Sequence, residues 1–186
     1  MDDVVFLYDQ AIEHIVRLHG FCSSRRRDLG SGDVQDDVDS VADLLAKRDL
    51  LTFSASLRNF AEATKSVQDI RQLRVSTCKL IAPPQPPYFL DSGETLSLYQ
   101  VLSRIIHSHT LSILRSSYDF RLLAAETDEQ LFSIPAQPVV QSETLLMVQT
   151  EQDQATTVAL RALLHIACSF LSPVSERLCI IQRDYR

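Results

Sequence analysis

Apolar residues recur at two different periods along this chain, and the change of period divides it. Over residues 3–20, Val5, Tyr8, Ile12, Ile15 and His19 follow the three-and-four spacing of one helix face. Asp2 and Asp3 suit the positive end of such a helix, and Gly20 stands where it should stop. The same spacing returns over 34–65, with Val34, Val38, Val41 and Leu45 on one stripe and Phe53, Leu57, Phe60 and Thr64 on a second. No Pro or Gly interrupts it, so the pattern predicts one long helix or two helices meeting near "KRDLL".

The next segment is ambiguous: "SVQDIRQLRVSTCKLI" fits a helix or a short strand. "APPQPPYFLD" fits neither, because its prolines remove backbone donors and fix an extended path, the pattern of a linker or rigid loop. A helix over 92–109 is predicted from Asp91 and Glu94 in a capping-box relation and from the stripe Leu98, Val101 or Leu102, Ile105 and Ile106. The period then shortens. "TLSILRSS" and "YDFRLLAAE" predict strand over 110–125, and "SETLLMVQTE" predicts it over 143–150. "TTVALRALLHIACSFL" reads as a helix over 157–171 capped by Thr156 or Thr157, with Pro173 opening a short helix over 173–182. The expected fold is mainly α: one bundle-like domain over 1–186, with a small antiparallel β hairpin or sheet inserted before the last long helix.

Composition narrows the function classes. Apolar runs are broken before the roughly 18 residues that a membrane span needs, and "MDDVVFLYD" is acidic where a secretion signal is basic. Cys22, Cys78, Cys168 and Cys179 are scattered without a C-x-x-C pair or a zinc-finger spacing, so packing thiols in a reducing cytoplasm are expected, with no metal or cofactor. Glycine-rich phosphate loops, H-E-x-x-H, G-x-S-x-G and EF-hand patterns do not occur. Lys plus Arg number 18 against 24 Asp plus Glu, which argues against a broad basic surface, so any contact with nucleic acid must be local. Arg25, Arg26 and Arg27 in "SSRRRD", together with Arg58, are the candidate RNA-binding cations. The plainer readings are a solvated loop for the first three and a surface or interhelix salt bridge for Arg58.

The candidate chemistry lies in "RIIHSH", residues 104–109. At about 100° per residue, Arg104 and His107 fall within about 60° of each other on a helix, and His109 joins them if the helix unwinds after His107. An Arg beside one or two histidines is what cleavage of RNA by its own 2′-hydroxyl requires, with a His to take or give a proton and a fixed cation for the charge growing on phosphate. The alternative is a charged, solvated helix end, a common way to finish a helix.

The motif and the order of elements resemble the HEPN superfamily, all-helical domains marked by Arg, four to six residues, then His. The resemblance implies a metal-independent endoribonuclease of the toxin–antitoxin or phage-defence kind, with two protomers pooling their motifs in one cleft. It makes Arg104 the phosphate-stabilising cation and His109 the acid or base. Ile105 departs from the polar residue that catalytic members usually carry after the Arg. "LSRIIH" is also similar to a variant HEPN-like pattern in which His107 is the retained histidine and the domain is a non-catalytic module for protein–protein interaction or RNA binding. The partners so implied are a second copy of the chain, RNA, and a cognate antitoxin or other protein.

Overall fold

A computed structural model describes residues 2–23, 33–81, 89–119, 140–151 and 155–177. Helices α1 (Asp2–Ser23), α2 (Asp33–Ala63) and α3 (Val67–Gln72) come first, followed by strands β1 (Arg74–Ile81) and β2 (Phe89–Ser97). Helix α4 (Leu98–Ile106) follows directly, then β3 (Thr110–Asp119), β4 (Val140–Gln149), β5 (Thr156–Ala159) and helix α5 (Leu160–Arg177). The strands form one five-stranded sheet in the order β2-β1-β5-β4-β3, with every pairing antiparallel.

This corrects the expectation of a mainly α bundle with a small hairpin: the fold is α+β, with a five-stranded sheet that forms one side of the core. One apolar cluster draws residues from all ten elements, among them Leu18, Phe53, Phe60, Ile70, Leu102 and Phe170. From the sheet it takes Val75, Leu96, Ile113, Leu146, Val148 and Val158. Alternate residues point the other way, where Leu145 packs with Cys78, Leu114 and Ala159. The helices therefore cover one face of the sheet, the arrangement by which an antiparallel sheet buries one side.

The sequence concealed β1, β2 and β5 for separate reasons. In β1, Val75 and Thr77 are buried while Arg74 and Ser76 are exposed, a period of two partly hidden because one inward residue is a threonine. Over 92–97 the chain is strand, not helix, and the capping box belongs to Ser97 and Gln100, where the Ser97 Oγ accepts from the Gln100 N–H at 3.2 Å and the Gln100 Oε1 accepts from the Ser97 N–H at 2.9 Å. Thr156 and Thr157 are not caps but buried strand residues, and β5 passes into α5 with no residue between them. Helix α5 then runs through Pro173 to Arg177 instead of stopping there.

Other boundaries hold more closely, although α1 runs through Gly20, its expected stop, to Ser23. α2 is a single helix, and its end is set by Lys65 at φ 58°, with the Ser66 N–H bonded to the Ala61 carbonyl at 2.8 Å as in a Schellman motif. Of its first predicted stripe, Val41 and Leu45 are exposed, and the buried residues described on α2 begin at Ala46. His19, placed on the inner face of α1, is also exposed; Ala11, His14, Ile15 and Leu18 point inward instead. Between β1 and β2 the register shifts at Thr77, whose hydroxyl donates to the Glu94 carbonyl at 2.7 Å. A Cβ at Gly93 would stand 2.2 Å from that hydroxyl, so the bulge requires glycine.

Among the described residues no helix is long and apolar enough to cross a membrane. The "APPQPP" stretch, most of "YDFRLLAAE" and the end of the predicted 173–182 helix lie outside the described residues.

Candidate functional site

Helix α4 is held rigidly at its start and opens into a cleft at its end. Leu98, Val101, Leu102 and Ile105 anchor its buried face, and the Leu98 N–H bonds to the Leu73 carbonyl at 2.9 Å. The opposite stripe, Gln100, Ser103, Arg104 and His107, is left to line a concavity of about 850 Å³. At the C-cap the His107 N–H bonds to the Ser103 carbonyl at 3.0 Å, and the Ser108 hydroxyl donates to the Ile105 carbonyl at 2.8 Å. The His109 N–H then bonds to the Gln149 carbonyl at 3.1 Å, tying the turn to the end of β4. Both imidazoles thus project from fixed backbone.

The fold brings Arg104, His107 and His109 into the lining of this one cleft, as the helix geometry anticipated. Thr150 and Glu151, just after β4, complete the lining. Sequence reasoning missed these two, and also Thr156, which accepts a hydrogen bond from the Arg104 Nη1. No local pattern marks them, because they lie more than forty positions along the chain and arrive through the pairing of β4 with β3 and β5. The Arg104 guanidinium is half-buried and oriented by Thr156, while His107 and His109 are exposed and their rings take no hydrogen bond among the described residues. Glu151 adds one carboxylate, so the cleft combines a fixed cation, two histidines and an acid.

Arg58 is the described member of the predicted RNA-binding set; Arg25, Arg26 and Arg27 lie outside the described residues. From α2 its Nη2 donates to the Tyr99 hydroxyl at 2.9 Å and its Nη1 to the Ser103 hydroxyl at 3.5 Å, with Glu62 3.7 Å away. It therefore joins α2 to α4 directly behind the cleft wall.

The other histidines are used differently. His14 is buried with its Nδ1 3.0 Å from Asp49, to which Arg17 adds a cation at 3.6 Å, while His165 is exposed on α5. On the same helix, burial pushes the Cys168 thiol above its ordinary value, which lowers its thiolate fraction and its worth as a nucleophile. Among the described residues no three His, Cys, Asp or Glu side chains converge as a metal site would need. The chain matches no protein-family model, no curated protein and no solved structure.

Proposed function

We propose that the cleft at the end of α4 binds the phosphodiester backbone of RNA and cleaves it by attack of the neighbouring 2′-hydroxyl. The observation that supports this is the shared lining of Arg104, His107 and His109 in the cleft described above. A well-formed concavity with a few convergent polar groups is the best physical pointer to a site. One imidazole accepts the 2′-hydroxyl proton as that oxygen bonds to phosphorus, and the other donates a proton to the departing 5′-oxygen. The products are a 2′,3′-cyclic phosphate and a 5′-hydroxyl. Arg104, held by Thr156, stabilises the charge that grows on the phosphoryl oxygens. Proton transfer through two histidines needs no bound metal.

The HEPN resemblance now rests on the motif and its place at a helix end, since the sheet sets this fold apart from an all-helical domain. It suggests a homodimer working in a reducing cytoplasm and restrained by an antitoxin-like partner. A second reading, a non-catalytic module that holds a protein partner, is favoured by the apolar side chains left exposed on α2: Val41, Leu44, Leu45 and Leu51.

Incubation of the purified chain with a mixed RNA pool in EDTA, beside His107→Ala and His109→Ala, decides between the two. Cleavage by the parent chain and loss with either variant supports the nuclease. A folded protein that leaves the RNA intact supports the module.

A further inference from the structure

Tyr99 carries two arginines on its ring. The Arg58 guanidinium lies 4.7 Å from the ring centroid and that of Arg71, from α3, lies 4.9 Å from it. Cation–π attraction draws each toward the ring, but gathering two guanidiniums at one ring also sets like charges close together. Glu62, 3.7 Å from Arg58 and half-exposed, offsets one of them. Arg71 is exposed and has no ion pair or hydrogen bond among the described residues, so a positive charge is left over at the surface. Arg58 is kept in place although its Nε is buried without an acceptor, a cost that folds tend to carry at functional sites.

The cluster is continuous with the cleft. Ser103, part of the cleft lining, accepts from Arg58, and Tyr99 precedes Ser103 by about one helical turn. From Tyr99 to Arg104 the helix rises about 7.5 Å. That is of the order of one nucleotide step in an extended strand.

We infer that Arg58, Arg71 and Tyr99 form a second phosphate subsite for the same RNA strand, one turn back along α4 from the cleft. This rests on the RNA reading proposed above. Arg71 supplies the free charge, Arg58 carries the contact toward Ser103, and Tyr99 positions both guanidiniums. In a chain whose net charge is −6, such a local pair of cations is what would set the register of an RNA strand.

The probe is a fluorescent single-stranded 2′-O-methyl oligoribonucleotide, which lacks the attacking hydroxyl and stays intact while its binding is followed by anisotropy at several salt concentrations. Arg71→Ala should weaken binding about fivefold and make the dependence of log affinity on log salt shallower by about 0.7, as expected for one lost phosphate contact on a single strand. Arg71→Lys should keep the salt dependence. Arg48→Ala, which removes an exposed cation from α2, should leave affinity within about twofold. Melting temperatures of all three should match the parent.

If Arg104→Ala weakens binding and Arg71→Ala does not, the subsite is wrong and the cleft stands. If Arg48→Ala weakens binding as much as Arg71→Ala, the effect is one of general charge and the subsite is also wrong. A parent chain that does not bind the probe overturns the cleft and the subsite together.

Discussion

His14 and His109 lie in opposite kinds of surroundings. His14 is enclosed between α1 and α2, with Asp49 fixed 3.0 Å from its ring. His109 has a backbone anchored to β4 and a ring left open to the cleft. In the first case the fold spends the side chain's hydrogen-bonding capacity on itself, and in the second it fixes the main chain and leaves the ring without a partner among the described residues. The difference separates a histidine that holds helices together from one available to a ligand, and sequence spacing by itself does not reveal it.

The largest expected effect tests the open side of that contrast. His109→Ala should lower RNA cleavage by about 10²- to 10⁴-fold with an unchanged melting temperature, the span of general acid–base contributions. Cleavage at the parent rate would place His109 with the structural histidines. Next, Phe60→Ala empties a fully buried site against Tyr8 and Phe170 and should cost about 3–5 kcal/mol in denaturant unfolding, a loss that reports on the core and not on the cleft.

Asp49→Ala tests the enclosed side. It strands His14 without its acceptor and should cost about 1–3 kcal/mol of stability while leaving RNA binding at the parent value. A binding defect in that variant would break the contrast. The smallest effect is Ser97→Ala, which removes the cap of α4 and should cost about 1 kcal/mol, with cleavage falling by less than for His109→Ala because the far end of the same helix carries the site.

The helical half of the fold was legible because α1 and α2 have one wet side, which gives a clear three-and-four rhythm. The sheet was less so. Thr77, Thr156 and Thr157 are buried polar residues, which blur the contrast that a period of two depends on. In "TTVALRAL" the strand passes into the helix without a glycine or proline to mark the change. At the site, the Arg104–His109 spacing could be read because one helix end carries it. Thr150, Glu151 and Thr156 could not, since only the pairing of distant strands brings them near. The exposed Val41 and Leu45 show the converse failure: periodicity identified an apolar stripe but not whether any element would cover it.

The four-residue strand β5 lies at the centre of the sheet, between the β1–β2 pair and the β3–β4 pair, and joins β1 through only Thr77–Val158 and Cys78–Thr157. The two outer pairs are each made of strands consecutive in the chain, so neither needs β5 in order to pair. The bridge between them is made when β5, the last of the described strands, joins. Thr156 on that strand also accepts from the Arg104 Nη1, so the strand that joins the halves of the sheet is one that helps to orient the arginine. Joining the two halves of the sheet thus also sets part of the geometry of the cleft.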